Sequence, residues 1–88
     1  SLVVTCDCGT SAVEPVATLV AAGIDVIITD HHLPGGPLPA AYAICNPRHP
    51  DCAHGDKDLA AVGVAYKIAL GLCEALGASP LLAQRQLD

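Results

Sequence analysis

The residues best suited to chemistry stand together directly after a β-branched apolar run. Val26 to Thr29 has the pattern of a strand buried on both faces, and Asp30, His31 and His32 follow it without a spacer. In open parallel sheets, ligands bind in the crevice at the carboxyl ends of the strands. One carboxylate and two imidazoles at such an edge suit a divalent metal ion. The alternative is a strand end that carries only solvated polar side chains.

A strand and a helix that precede this stretch must help to position it. Residues 2–6 are apolar or β-branched and predict a first buried strand. The next helix is expected to begin between Ser11 and Pro15, because Ser11 with Glu14 matches a capping box whereas Pro15 favours the first helical position. Gly23 is expected to end this helix. Strand, helix and strand form a βαβ unit, whose two strands run parallel and are expected to be neighbours.

Asp7 follows the first of these strands as Asp30 follows the second. Neighbouring strands lie about 4.8 Å apart, so Asp7 and either Asp30 or His31 should converge on one ion at a shared edge of the sheet. The alternative role for Asp7 is that of a turn residue that caps the next helix. The residues alone support the metal-ligand role and the turn role of Asp7 almost equally.

The remaining chain adds one strand and two helices. Ala41 to Cys45 predicts a third strand, and a long helix is expected from Asp58, as its N-cap, to Gly77. Within that helix Gly63 and Gly71 indicate close packing against a strand or helix, because each weakens a helix by about 1 kcal/mol relative to alanine. A last helix begins at residues 79–80 and runs to the end of the chain. The fold class predicted is α/β, a parallel sheet with flanking helices.

Composition limits the partners of the chain. Its 88 residues make at most one domain, and its net charge of −5 argues against this segment alone gripping a nucleic-acid backbone. No apolar run reaches the ~18 residues needed to span a bilayer, and no signal peptide is visible, so we expect a soluble, cytoplasmic protein with no membrane partner. The five cysteines have no paired spacing and are expected to be reduced and mostly buried, with Cys6 in the core.

A second set of ligand-type residues lies further along the chain. Cys45, His49, Cys52 and His54 are zinc-type ligands within ten residues, which leaves open a zinc-stabilised binding module without catalysis. Their spacing fits no usual closed zinc site, so we expect a polar loop without zinc. In the same loop Arg48 could contact a phosphate group, although simple solvation is favoured.

Taken together, these motifs resemble the DHH phosphoesterase superfamily. The resemblance begins with Asp7-Cys8-Gly9 and Asp30-His31-His32. Three further stretches, Asn46-Pro47-Arg48, Pro50-Asp51-Cys52 and residues 57–67, resemble the RecJ-type single-strand-specific exonucleases. The resemblance covers most of the chain. It implies that residues 1–88 are part of a Rossmann-like DHH domain.

The resemblance also implies roles for individual residues. Asp7 would be a metal ligand that bridges two ions, and His31 would be a second metal ligand. His32 would contact the substrate phosphate, with Asp30 as the supporting or metal-proximal carboxylate, and these two form the expected catalytic pair. Mn²⁺ or Mg²⁺ would be the cofactor in a two-metal site. The implied reaction is stepwise 5′-to-3′ hydrolysis of single-stranded DNA.

The chain departs from the family pattern at two places. An Asp-x-Asp motif on an earlier strand is absent, as is a later aspartate beyond the long helix, a role that Asp88 cannot be assigned. Both ends of the chain look cut, so we expect a piece of a larger enzyme that is inactive by itself. Within the superfamily, the alternative is a phosphodiesterase acting on short oligonucleotides or cyclic dinucleotides, which residues 46–67 disfavour. Oligomeric state is left open.

Overall fold

The computed structural model describes residues 1–87, which form three parallel strands and three helices. The elements in chain order are β1 (Leu2–Val4), α1 (Val13–Ala21), β2 (Asp25–Thr29), β3 (Ala43–Cys45), α2 (Ala61–Ala75) and α3 (Leu81–Gln84). The strand order is β1-β2-β3 with parallel pairing throughout. Both α1 and α2 contact β2. The predicted class, α/β with flanking helices, is confirmed.

The central strand β2 carries most of the core. Val26 and Ile28 on β2 are both 0% exposed and pack against Val16 of α1. Ala12 and Leu19 add to this cluster from the same side of the helix. These five side chains contain no aromatic ring, so α1 can lie close to the sheet. The carboxyl end of β2 is thereby held rigidly at the point where Asp30 follows it.

The first strand is shorter and more exposed than its sequence predicted. Leu2 and Val4 are 57% and 56% exposed, and in the register they lie opposite Asp25 and Ile27. Side chains alternate along a strand, so both face away from the side on which α1 covers β2. β1 is also an edge strand in the described sheet. The prediction of a buried first strand is therefore wrong.

The helix α1 begins at Val13, within the predicted range from Ser11 to Pro15. Its N-cap is Ala12, which makes no side-chain cap, so neither Ser11 nor Pro15 defines the start. Its end was predicted correctly. Gly23 has a φ of 77°, its amide donates to the carbonyl of Val20, and the next amide donates to that of Leu19. This pair of bonds is a Schellman ending, which requires the left-handed conformation at Gly23.

The second half of the chain follows the prediction with shifted boundaries. The third strand begins at residue 43 rather than 41, and the long helix α2 begins at residue 61 rather than after Asp58. Asp58 is not its N-cap, because its carboxylate accepts a bond from Arg48 instead. Gly63 lies against Leu59, which precedes α2 and belongs to no strand or helix, and a side chain at Gly71 would meet open space, so the predicted close packing is not seen at either glycine. Asp88 lies outside the described residues.

The cysteines are more exposed than predicted. Cys6 and Cys8 are exposed, and of the five only Cys73 is buried. The chain leaves β1 after Val4 and turns around Asp7, so Cys6 projects from the turn and not from a strand. All five are free thiols. Within residues 1–87, the helices lack the length and apolar character needed to cross a membrane.

Candidate metal centre

Asp7 and His31 converge at the shared edge of the sheet, as predicted. Nε2 of His31 lies 3.0 Å from Oδ1 of Asp7, and the two residues follow neighbouring parallel strands. Both side chains are accessible, with that of Asp7 the more exposed of the two. The geometric prediction is confirmed.

The turn that presents Asp7 is tied to β2 by backbone bonds. The amide of Asp7 donates to the carbonyl of Thr29 over 3.0 Å, which continues the ladder beyond the end of β1. Thr29 in return donates its hydroxyl to the carbonyl of Thr5 over 2.6 Å. Asp7 itself has a φ of 63°, a left-handed conformation that costs energy for a residue with a Cβ atom. The surrounding bonds hold a strained aspartate where its carboxylate can meet His31.

Gly9 allows this turn to close over the core. Its φ is 117°, and a Cβ atom there would lie 3.1 Å from both a methyl group of Ile28 and the hydroxyl of Thr5. Only glycine satisfies both the backbone angle and the close approach.

Asp30 is a buried carboxylate whose oxygens are already occupied. It is 1% exposed. Oδ2 accepts from the amide of Thr10 at 3.0 Å, and Oδ1 accepts from the amide of His31 at 2.8 Å and from Nδ1 of His32 at 2.6 Å. Burial by itself would raise the pKa of this carboxyl, but the bonds from Thr10, His31 and His32 outweigh it and hold the pKa well below its usual range. Asp30 is therefore ionised and can only accept.

This ionised acceptor fixes the tautomer of His32. Because Asp30 has no proton to give, Nδ1 of His32 must carry the hydrogen of the 2.6 Å bond. In the neutral ring, Nε2 is then the unprotonated nitrogen. The His32 side chain is 59% exposed, so Nε2 is available to a ligand. The two histidines thus have different carboxylate partners, although their ring centroids lie only 4.5 Å apart.

Asn46 and Thr10 also belong to the site, although no role in it was predicted for either from the sequence. The amide nitrogen of Asn46 lies 2.9 Å from both the hydroxyl of Thr10 and the carbonyl of His32, and its oxygen accepts from the amide of Arg48 at 2.8 Å. Both Asn46 and Thr10 are buried. One signal was available: Asn46 directly follows β3, just as Asp30 directly follows β2.

Four side chains at this edge could together hold a metal ion. Each of Asp7, Asp30, His31 and His32 offers one ligand atom, and these atoms lie within 4.8 Å of one another. Carboxylate oxygen and imidazole nitrogen suit Mn²⁺, Mg²⁺ or Zn²⁺. Asp7 and His31 fit the role best, because the oxygens of Asp30 already accept several hydrogen bonds. An open hollow of about 410 Å³ lies alongside, lined by Asp7, residues 8–12, Asp30 and His32.

The alternative zinc ligands are not brought together. Among residues 1–87, the strand-end cluster is the one place where three or more metal-type ligands meet. Cys45, His49, Cys52 and His54 do not form such a group. Nearby, Arg48 donates to the carbonyl of Lys57 and to Asp58, at 2.9 and 2.7 Å. Its guanidinium is therefore used to close the loop.

Comparison with known proteins places the chain in a family. The profile of the DHH family, N-terminal domain, matches residues 1–86. The chain belongs to the DHH family. It is 49% identical over 72 residues to the single-stranded-DNA-specific exonuclease RecJ of Bacillus subtilis, and 52% identical over 71 residues to the RecJ of Escherichia coli. The RecJ of Thermus thermophilus is 36% identical over 81 residues.

These relatives are much longer than the chain. The alignments cover 82%, 81% and 92% of the chain but only 9%, 12% and 12% of the B. subtilis, E. coli and T. thermophilus proteins. The chain therefore spans about a tenth of the length of the relatives it matches. The family resemblance noted in the sequence is confirmed.

Proposed function

We propose that the protein carrying this chain is a RecJ-like phosphodiesterase that hydrolyses single-stranded DNA with the help of divalent metal ions. The observation that carries the proposal is the strand-end cluster, in which Asp7 meets His31 while Asp30 holds His32. About 50% identity to proteins named as single-stranded-DNA-specific exonucleases supports the choice of substrate. Such a substrate suits a cytoplasmic protein. The proposed direction of digestion is 5′ to 3′.

The accessible pair, Asp7 and His31, is assigned to metal binding. Asp7 and His31 would bind Mn²⁺ or Mg²⁺, which when bound lowers the pKa of a water molecule and stabilises charge on a phosphoryl group. Two carboxylates are too few for a complete two-metal site, so further ligands must come from elsewhere in the protein. The isolated 88 residues are accordingly expected to be inactive.

The second pair, Asp30 and His32, is assigned to contact with the substrate phosphate. With Nδ1 of His32 bound to Asp30, the exposed Nε2 faces outward as the atom that can reach a ligand. It can donate to a phosphate oxygen only in the protonated ring, and the negative charge on Asp30 compensates for that proton. A donor of this kind stabilises the charge that develops on the phosphate in the transition state. Asp30 would act by orienting this ring and compensating for its positive charge.

The net charge of −5 means that this segment contributes little general attraction for DNA. Binding of the nucleic-acid backbone is proposed to come from other parts of the full-length protein. Within the segment, the hollow next to Asp7 and His32 would receive only the phosphate that is being cleaved.

The two histidines provide the test, in the intact protein. We expect His31→Ala to weaken Mn²⁺ binding and turnover together, with partial rescue by excess Mn²⁺. His32→Ala should leave Mn²⁺ binding unchanged and lower turnover by about 10²–10³, without rescue. His54→Ala, in the loop, is the matched control and should behave like the unchanged protein. Calorimetric Mn²⁺ titration and cleavage of end-labelled single-stranded DNA measure the two effects.

The same assay separates the proposed substrate from its alternative. Parallel reactions with single-stranded DNA, a four-nucleotide oligomer and a cyclic dinucleotide would rank the substrates, and a label at either end gives the direction of digestion. Full activity in both histidine variants with unchanged Mn²⁺ affinity would contradict the assignment of this edge as catalytic. Preference for the short or cyclic substrates would replace the RecJ-like proposal with the other DHH phosphodiesterase class.

A further inference from the structure

We propose that Thr10 and Asn46 are positioning residues for His32, joined with Asp30 in a buried bracket that aims the His32 ring into the hollow. The proposed bracket is Thr10, Asp30 and Asn46, one residue from beyond the end of each strand. The inference rests on the proposed function, because it assumes that His32 meets the substrate.

The hydrogen bonds in the bracket have a fixed direction. The oxygen of Asn46 accepts from the amide of Arg48, which determines which end of the Asn46 side chain is the NH₂ group. That NH₂ group donates one hydrogen to the carbonyl of His32 and the other to the hydroxyl of Thr10. The Thr10 hydroxyl accepts this bond, and the backbone amide of the same residue donates to Asp30. Thr10 therefore links Asn46 to Asp30.

Asp30 also accepts a hydrogen bond from the ring of His32, and this bond helps to fix His32. The ring Nδ1 of His32 donates to Asp30, while the backbone carbonyl of His32 accepts from Asn46. The residue is thus gripped at two points, one on the ring and one on the main chain. A ring held at one nitrogen alone could still swing with its backbone. The second contact, through Asn46, removes that freedom.

Burial gives these bonds their strength. Thr10, Asp30 and Asn46 are 2%, 1% and 4% exposed, and among the described residues no buried side-chain nitrogen or oxygen lacks a partner. Away from water, a hydrogen bond is electrostatically stronger and an unmade one is costly, so a complete network is rigid. A rigid support is what a catalytic side chain needs if it is to be held within about 0.5 Å of a productive position.

The other half of the site has less support, because the bracket reaches it only where Asp30 accepts from the backbone amide of His31. His31 is joined to Asp7 at the accessible surface, and neither side chain is hydrogen-bonded to Thr10 or Asn46. Loss of the side-chain bonds of Thr10 or Asn46 should therefore act on the phosphate contact and leave the metal pair unaffected. This separation distinguishes a positioning role from a general stabilising one, which would disturb both pairs.

The test compares two changes at Thr10 in the intact protein. Thr10→Val keeps the shape of the side chain and the backbone bond to Asp30 but removes the hydroxyl, whereas Thr10→Ser keeps the hydroxyl. Loss of such a supporting bond lowers activity by roughly 10- to 100-fold in metal enzymes. We expect kcat for single-stranded DNA to fall about 10-fold in Thr10→Val and to stay near its original value in Thr10→Ser. The Mn²⁺ affinity of both should be unchanged.

A second variant and a readout that does not need activity guard against loss of folding. Asn46→Asp keeps the size of the side chain and the acceptor for Arg48 but removes both donated bonds, and it should lower kcat like Thr10→Val. In the metal-free protein, ¹⁵N signals of His32 report which ring nitrogen carries the proton. At a pH where the His32 ring is neutral, the signals of the unaltered protein should show a single form protonated at Nδ1. Those of Thr10→Val should show a mixture of forms protonated at Nδ1 and at Nε2.

Each outcome decides the inference. Unchanged kcat and an unchanged His32 signal in Thr10→Val would overturn it. Equal losses of kcat, Mn²⁺ affinity and thermal stability, with no rescue by Thr10→Ser, would also overturn it in favour of a merely structural role. If the unaltered protein cleaves no phosphodiester, the proposed function fails, while the ¹⁵N comparison still shows whether the bracket orients His32.

Discussion

The molecule contains two regions rich in ligand-type residues, and only one of them assembles a site. Asp7, Asp30, His31 and His32 follow strand ends and meet within 4.8 Å. The loop of residues 45–58 contains as many zinc-type ligands, yet they do not gather. The difference lies in the backbone bonds: the amides of Asp7 and Asp30 donate to neighbouring strands of the sheet, whereas those of His49 and Cys52 donate to carbonyls only three residues away.

The reach of the hydrogen bonds shows this difference most directly. At the strand ends, bonds join Thr10 to Asp30 and to Asn46 across 20 and 36 residues of sequence. In the loop, His49 and His54 each accept at Nδ1 from an amide only two residues away. A ring nitrogen used in a local turn is withdrawn from metal binding. Ligand-type residues therefore form a site where long-range hydrogen bonds bring them together.

The largest effect is expected at Asp30. Asp30→Asn removes the charge, and its NH₂ group would face either the amide of Thr10 or Nδ1 of His32, both of which are donors. We expect a loss of roughly 3 kcal/mol in the free energy of unfolding, because buried bonds to a charged group are lost together. Activity should fall at least as far as in His32→Ala. Urea unfolding and DNA cleavage measure the two, and near-original values in both would show that the strand ends are no better anchored than the loop.

The same carboxyl predicts how stability depends on pH. Its pKa is lower in the folded protein than in the unfolded chain, where it is about 3.9. The stabilisation from ionised Asp30 is therefore fully present above about pH 5 and is lost as the pH falls below about 4. Asp30→Asn should show a smaller loss over this range. Unfolding curves between pH 3 and 6 test this, and identical acid sensitivity in both proteins would contradict it.

The sequence predicted those parts of the fold and site that depend on local pattern. The run Val26 to Thr29 identified the central strand, and the order strand-helix-strand was enough to predict that Asp7 and His31 would meet. It could not predict the exposure of Leu2 and Val4, because an edge strand and a central one have the same apolar pattern. It also missed Asn46, whose importance comes from partners 14 and 36 residues away.

A smaller effect is expected from glycines in the two regions. Gly9→Ala should cost about 2 kcal/mol, because φ is 117° there and the new methyl group would press on Ile28. Gly55→Ala, in the loop, has open space around it and no positive φ. It should change stability by no more than about 0.5 kcal/mol. Comparable costs at both glycines, measured by urea unfolding, would contradict the contrast between a constrained edge and a tolerant loop.

At Asp7 the expected effect on stability is smaller still and separates strain from function. Glycine accepts a φ of 63° without penalty, whereas alanine does not. Asp7→Gly should therefore be about 1 kcal/mol more stable than Asp7→Ala. Both should lose Mn²⁺ affinity equally, because both lack the carboxylate. Thermal unfolding and Mn²⁺ titration of the pair measure this, and equal stabilities would mean that the turn relaxes when the carboxylate is gone.

The smallest effect is expected in the loop itself. Cys52→Ser combined with His54→Ala removes two of the four zinc-type ligands. The hydrogen bonds lost with these side chains are local, because each joins a side chain to the backbone of a residue two positions away. Stability should change by about 0.5 kcal/mol or less, and the metal content of the purified protein should be unchanged. A structural zinc would behave differently, since losing two of its ligands releases the ion and with it much of the folding energy that the ion supplies. Elemental analysis therefore decides the matter. One tightly held zinc that disappears in the double variant would show that this loop can assemble a metal site without the support of strand ends.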